Sequence, residues 1–427
     1  MITRKAFLVL SVILLIAARG AASAQQVTVV PRVQSPASDL SNRRLDLGVW
    51  VGGGRDNRVG RSLTPESIAL FGPDNSDAQV GVGSSFGRIG RVLSFDGDLQ
   101  TGVRFDSAAR RPWSSDHQGS LNTTIRFTRR LRLESRNAAR YAALNPLVEA
   151  PRPAPGGAAP EVTSIALPFA VRQALSATTD TALRYDFRGR SSFLASNGLT
   201  YTEAETGGAL ISQSIRARYE RRLSPSRTLR LGYRLGTATF DPNSSRYLKT
   251  HDLDVGVDYR RALPFSRRTL LAASMGPSIV SERTRQSLRL IGDALVTHTI
   301  NRTWQLQVNY RRSMWAIEGI AAPLLSTSID GGVTANAGRR NVLMALVGYV
   351  NGNISLDQTS ATRVMSRTAE FRWHAALTRR VALVANTFYG RLQYGSQVMT
   401  LLSGVPRDAS HVGARVFLSY WHPVFHQ

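Results

Sequence analysis

The stretch Leu121-Asn122-Thr123-Thr124-Ile125-Arg126-Phe127-Thr128-Arg129-Arg130 decides the fold. Leu121, Thr123, Ile125 and Phe127 fall at every second position, with Asn122, Thr124 and Arg126 between them. A strand sends successive side chains to opposite faces, so the segment has one apolar face and one wet face. It closes on an aromatic and Arg-Arg, and a new alternating segment starts within a residue or two. Versions of this ending recur at Tyr219 to Arg222, Tyr259 to Arg261, Tyr310 to Arg312 and Thr378 to Arg380.

Working outward, the same alternation is found along the whole chain. Leu45, Leu47, Val49 and Val51 share a face, as do Leu93, Phe95, Leu99, Val103 and Phe105 against Asp96, Asp98, Gln100 and Arg104. Leu229, Leu231, Tyr233 and Leu235 oppose Arg230, Gly232 and Arg234, and Val412, Ala414, Val416, Leu418 and Tyr420 oppose His411, Gly413 and Arg415. Eighteen strands follow: 43–52, 78–87, 92–105, 119–128, 131–141, 163–173, 179–189, 208–220, 227–240, 249–260, 267–280, 286–299, 302–311, 327–337, 341–351, 361–375, 380–391 and 409–420. Sixteen is the alternative count.

Most of these segments reach the roughly 9–11 residues that a tilted strand needs to cross a bilayer. So many long antiparallel strands leave sheet edges unless the sheet closes. The connections alternate between short turns and long loops such as 53–77, 142–162, 190–207 and 392–408. That is the expected asymmetry of an outer-membrane barrel, with short periplasmic turns and longer outer loops. The expectation is therefore an all-β fold, a transmembrane antiparallel β-barrel in the bacterial outer membrane. Its partners are outer-membrane lipid and the barrel assembly machinery. Tyr219, Tyr259, Tyr310, Trp373, Tyr420 and Trp421 stand near strand ends, as interfacial aromatics do. Loop 142–162 is rich in proline and glycine; loop 312–326 carries Trp315, Ile317, Ile320 and Leu324, and either folds over the lumen or packs on the rim.

Arg4 and Lys5, the apolar run from Ala6 to Ala18 and Ala22-Ser23-Ala24 make a secretory signal over 1–24, cut before Gln25. A polar lead follows over 25–42, then the barrel over 43–421 and a C-terminal tail over 422–427, in which Phe425 is the terminal aromatic. The chain has no cysteine, so neither disulfides nor thiolate-held metals enter.

The formal charge is +25, nearly all from arginine. Such a balance suits nucleic acid, but an exported barrel does not meet it, and no nucleic-acid partner is expected. No enzyme constellation stands out. Gly52-Gly53-Gly54 lies outside any strand-turn-helix context; such glycines suit bends and close contacts in a barrel. His251, Asp252 and Asp254 are too few for a metal site. No cofactor is expected.

The wet phase then lines a lumen. Alternation turns Arg104, Arg126, Arg184, Arg188, Arg216, Arg218, Arg230, Arg234, Arg372 and Arg415 inward, with Asp96, Asp98, Asp186, Asp252, Asp254, Asp258, Asp293 and Glu370 as their acids. Some pair across strands; the surplus predicts a positive interior that favours anions.

On the turns Val257-Asp258-Tyr259-Arg260-Arg261 and Ala217-Arg218-Tyr219-Glu220-Arg221-Arg222-Leu223, the chain resembles outer-membrane β-barrel families associated with bacterial exopolysaccharide gene clusters. The resemblance is one of pattern and runs from Leu45 to Trp421. It implies a channel that exports anionic or neutral polysaccharide with a periplasmic polysaccharide-export partner. The alternatives are an anion-preferring uptake porin and a non-conducting structural or adhesive barrel.

Overall fold

The computed structural model describes residues 43–61, 75–106, 113–143, 173–187, 189–204, 209–224, 227–240, 247–259, 268–282, 285–301, 303–317, 320–338, 340–354, 362–396 and 408–426. The proposed signal and lead lie outside them. In chain order the strands are β1 (Arg43–Arg61), β2 (Asn75–Arg88), β3 (Leu93–Asp106), β4 (Trp113–Arg126), β5 (Leu131–Ala143), β6 (Gln173–Asp186), β7 (Ser191–Ala204), β8 (Ala209–Ser224) and β9 (Arg227–Phe240). They continue as β10 (Tyr247–Tyr259), β11 (Thr269–Glu282), β12 (Arg285–Thr299), β13 (Trp304–Ile317), β14 (Ile320–Ala337), β15 (Asn341–Ile354), β16 (Arg363–Ala376), β17 (Val381–Tyr394) and β18 (Asp408–His426). Each pairs antiparallel with its neighbours in sequence, and β1 pairs with both β2 and β18. The sheet is a closed barrel of eighteen strands, the architecture of an outer-membrane protein.

The two faces separate as alternation demands. Leu47, Val49, Val51, Val80, Val82, Val255, Val347 and Leu418 are exposed on the outer wall, where lipid rather than water is the solvent. Their neighbours Asp46, Trp50, Gln79, Arg104 and Arg415 are buried on the inner wall.

The aromatic-Arg-Arg signal marks a defined turn at Phe127 to Arg130 and Thr378 to Arg380, whereas Tyr219 to Arg222 lies within β8 and Tyr310 to Arg312 is in mid-strand on β13. Phe127 N–H donates to Leu131 O at 3.0 Å, and Leu377 N–H donates to Val381 O at 2.9 Å. In each turn a threonine hydroxyl takes two further amides: Thr128 from Arg130 and Leu131, and Thr378 from Arg380 and Val381. Asn301 does the same for Thr303 and Trp304. The side chains thus supply acceptors that the tight turn denies its backbone. Two other turns place Gly189 and Gly338 at φ of 102° and 77°, a region glycine enters without steric cost.

The closing seam explains Gly52-Gly53-Gly54. The Phe417 ring lies where a side chain at Gly52 would stand, and the Arg415 stem lies where one at Gly54 would stand. Trp50 lies over Gly81 and Gly102, and Trp421 over Gly48. Large luminal side chains are laid flat on a wall cleared by glycine, and Trp50, Ala382, Val384, Phe417 and Trp421 form one buried cluster there.

Several boundaries differ from expectation. The segment 190–207, read as a loop, is mostly β7; its polar alternation (Ser192, Ser196, Thr200 against Phe193, Leu199, Tyr201) is a strand pattern with small residues. The strand expected over 163–173 lies outside the described residues except for Gln173, which opens β6. The segment 312–326 is no loop either: β13 continues to Ile317 and β14 begins at Ile320. The tail over 422–427 is strand as far as His426, pairing Leu47 with His422 and Leu45 with Phe425. A register shift between Leu45 and Asp46 leaves Val424 as the extra residue, beside Pro423, which has no N–H to give to the ladder.

Candidate functional site

The site is the lumen, and its walls are built by register. On β3 and β4 the inner face is a ladder of polar pairs: Gln118 donates to Gln100 at 2.6 Å, Ser120 to Asp98 at 2.7 Å and Asn122 to Asp96 at 2.9 Å. Arg104, also on β3, meets Asp77 at 3.2 Å, and Arg415 approaches the other oxygen of that carboxylate at 3.5 Å. All three side chains are nearly sealed from solvent. Gln79 donates to the same carboxylate at 2.7 Å, and the Arg415 guanidinium sits 4.8 Å over the Phe388 ring.

Further round, Arg184 pairs with Asp186 at 3.1 Å and with Glu220 at 3.6 Å, and Arg218 meets Glu220 at 3.0 Å. Arg234 donates to Asp252 through Nε at 2.7 Å. Arg372 pairs with Glu370. Arg216 and Arg230 lie on the same inner face of β8 and β9. Arg126 stands at the exposed end of β4. Asp254 lies beside Asp252 on the inner face, and Asp293 accepts from Ser274. Arg188 and the side chain of Asp258 lie outside the described residues.

The inner wall is thus a mosaic of arginines laced to acids rather than a surplus of positive charge. The surplus lies elsewhere. The eight segments joining strands at the short-turn end carry Arg91, Arg129, Arg130, Arg188, Arg190, Arg260, Arg261, Arg267, Arg268, Arg302, Arg339, Arg340, Arg379 and Arg380, with no Asp or Glu among them. In the nine joining segments at the opposite end, arginines and acids nearly balance. Among the described residues, Arg91, Arg129, Arg130, Arg190, Arg268, Arg340, Arg379 and Arg380 form a positive collar at the periplasmic end.

A second feature narrows the lumen. The β12–β13 ladder runs only from Thr299↔Gln305 to Gly292↔Arg312, while β12 continues to Arg285 alongside β11. Above Arg312, β13 is paired with β14 alone. Its Met314 packs against Leu210, Ala238, Leu248 and Val280, which belong to the inner faces of β8 to β11. Lower on β13 the same phase carries Val308 and Tyr310 on the exposed outer wall. The top of the β13–β14 hairpin has therefore left the wall and leans inward. Between it and the wall is a cavity of about 170 Å³, lined among others by Arg216, Arg234, Asp252, Asp293, Arg311 and Arg312. Sequence reasoning missed Arg311 and Arg312 here, although the apolar run after them was the available signal.

Of the interfacial aromatics, Tyr219, Tyr310, Trp373 and Tyr420 are on the outer wall, and Trp373 Nε1 donates to Asn341 Oδ1 at 3.1 Å. The side chain of Tyr259 lies outside the described residues. Trp421 is a correction: it is buried inside, over Gly48, because consecutive strand residues cannot both face the lipid. His251 and Asp252 likewise diverge. His251 Nδ1 meets the Tyr233 hydroxyl at 2.6 Å outside, and Asp252 faces Arg234 inside. Among the described residues, no group of three or more His, Cys, Asp or Glu is placed to hold a metal ion.

No protein-family model and no curated protein matches the chain. Among solved structures, it is similar to OpdQ of Pseudomonas aeruginosa, at 11% identity and a TM-score of 0.48 over 89% of this chain and 99% of the other. OccAB4 of Acinetobacter baumannii gives 12%, 0.47, 89% and 98%. The FrpB iron transporter from Neisseria meningitidis (F5-1 variant) gives 8%, 0.46, 82% and 63%. At these values the likenesses say nothing about what this barrel carries.

Proposed function

We propose that the protein is a passive outer-membrane channel that passes small anionic solutes in preference to cations. The observation that carries this reading is the arginine collar. The eight joining segments at that end carry fourteen arginines and no acid, so anions are concentrated at that mouth and cations are depleted. The paired charges of the lumen then give a path of low net field. Water and small ions exchange hydrogen bonds along it, and the inward hairpin limits the size of what passes.

Export of an acidic polysaccharide, handed over by a periplasmic partner, is the second reading. What favours it is the position of the collar, at the end where such a chain would enter. The inward hairpin weighs against a polymer.

The experiment is a reversal-potential measurement on the mature protein in a planar bilayer under a salt gradient, repeated at two mean salt concentrations. Screening lengths are about 10 Å at 0.1 M and about 3 Å at 1 M. Anion selectivity set by an exposed collar is large at the lower salt and collapses at the higher. A cation-selective pore overturns the proposal. Block by an acidic oligosaccharide added from the periplasmic side alone favours the second reading.

A further inference from the structure

The outer wall is mostly apolar, with isolated polar residues such as Thr101, His117 and Thr387, and its densest polar patch lies on four strands. Between the strand ends, β9 to β18 and β1 to β3 present residues such as Leu231, Val255, Val347 and Leu418 to the lipid. On β5 to β8 the outward positions at that depth include Ser135, Asn137, Thr179, Thr181, Asn197 and Gln213, with Leu199 and Ile215 among them. Asn197 falls midway between Phe193 and Tyr201 on the same outward phase of β7, so it stands at the middle of the span. Register gathers these residues into one patch: Ser135 pairs with Thr181 and Thr181 with Asn197, while Asn137 pairs with Thr179.

The patch only partly satisfies itself. Asn137 Nδ2 donates to Ser135 Oγ at 3.1 Å, and Gln213 Nε2 donates to Asn197 Oδ1 at 3.3 Å. A primary amide offers two donors and a carbonyl with two lone pairs, so the Asn197 amino group and the Gln213 carbonyl have capacity left over. Acyl chains cannot use it, and polar groups at this depth are costly unless protein meets them.

We propose that the β5–β8 wall is an interface with a second copy of this chain inside the membrane. Amides and hydroxyls both donate and accept, so such a patch complements itself, as a symmetric contact requires. The outward phase of this sector carries no formal charge between its aromatic ends, so two copies of a chain with net charge +25 meet there without local repulsion. Ala177, Ala195 and Ala217 on the same face let the two walls come close. Next to the patch the outer wall is hollowed by about 590 Å³, past Gly119, Ala139 and Leu175, and this gives the partner's larger side chains a place to enter.

The chain has no cysteine of its own, so single-cysteine variants report cleanly. Asn197→Cys, Ile215→Cys and Val347→Cys are each oxidised in intact outer membranes. The expected result is disulfide-linked dimer from either β7 or β8 reporter and monomer from Val347→Cys, on the far wall. Native mass measurement of the wild-type protein in mild detergent is expected to show an oligomer. In Asn197→Leu/Gln213→Leu it is expected to fall to monomer while the heat-modifiable mobility of the folded barrel persists. Cross-linking equal at all three positions, no cross-linking with a monomeric wild type, or an oligomer that survives the double substitution each overturns the proposal.

Discussion

Asp77 is the residue on which the closing seam depends electrostatically. Its carboxylate is 1% exposed and is approached by Arg104 at 3.2 Å, Arg415 at 3.5 Å and the Gln79 amide at 2.7 Å. Asp77→Asn keeps the shape and removes the charge. Two guanidinium groups, 5% and 2% exposed, then face a neutral amide in a sealed part of the wall. Removing one partner of a buried ion pair costs about 3–5 kcal/mol where the remaining charge keeps no other partner, which makes that range the upper bound here. Little screening is available here to reduce that figure.

The same reasoning makes a second, opposite forecast. A buried ionic group replaced entirely by apolar residues of similar volume is often neutral. Asp77→Leu/Arg104→Met/Arg415→Met should therefore recover most of what Asp77→Asn loses. The Arg415→Met change keeps an apolar stem over Gly54 and beside Phe388, where the arginine stem lies now. Equilibrium urea unfolding in lipid vesicles, read by tryptophan fluorescence and by heat-modifiable gel mobility, measures both. Trp50 and Trp421, two of the six tryptophans, lie in the adjacent cluster, so part of the signal reports on the seam. An Asp77→Asn barrel within about 1 kcal/mol of wild type would show that the seam is wetter than its burial implies. A triple variant less stable than the single one would refute the electrostatic account altogether.

Three other outcomes follow from the geometry. Replacing Arg129, Arg130, Arg379 and Arg380 with glutamine removes four collar charges from turns held by threonine hydroxyls rather than by arginine; anion selectivity at low salt should fall while folding is unchanged. Replacing 313–325 with two glycines removes the inward top of β13–β14, and single-channel conductance should rise, whereas a hairpin that stood in the wall would give an unstable barrel instead. Gly81→Val places a Cβ 2.1 Å from the Trp50 ring and 2.6 Å from the Thr101 carbonyl, and should cost about 1–3 kcal/mol or more through overpacking, with Trp50→Ala restoring part of it.

The barrel is legible in the sequence because alternation is a period-two signal that needs only the contrast between two faces. Where the contrast fades, so does the reading. Strand β7 reads as a loop because Asn197 occupies a lipid-facing position where an apolar residue is expected, and the small residues Ser196 and Gly198 beside it leave no contrast across the wall. The β13–β14 hairpin reads as a loop for the reverse reason: its top is apolar on both phases, with Leu324 and Leu325 both buried. A segment that leaves the wall and packs on the inner face no longer needs one wet side. Trp421 is misplaced when residue type is trusted over phase. Tyr420 and Trp421 are both good girdle residues, but a strand can offer only one of two neighbours to the lipid, and Gly48 and Gly81 on the inner face clear space for indole rings.

Charge needs the fold before it can be interpreted. The sequence points to a positive interior because many arginines fall on the wet phase, and that count ignores where the acids fall. The ladders put Asp252 opposite Arg234 and Glu220 opposite Arg230, with Arg184 and Arg218 reaching the same glutamate, so luminal arginine is largely neutralised within the wall. The turns have no such constraint. Seven of the eight joining segments at this end are two to four residues long and the eighth is nine, and none carries an acid of its own. A net charge of +25 is then a statement about one rim of the barrel more than about its bore. Selectivity that arises at a rim is set by ionic strength, because solvent and its salt reach the charges that produce it. The bore, with its fixed pairs and its inward hairpin, is left to decide size. Substitutions in the collar and in the hairpin should accordingly act on different observables, reversal potential for one and conductance for the other. A collar variant that changed conductance at high salt, with selectivity untouched, would mean that the two functions are not divided between rim and bore.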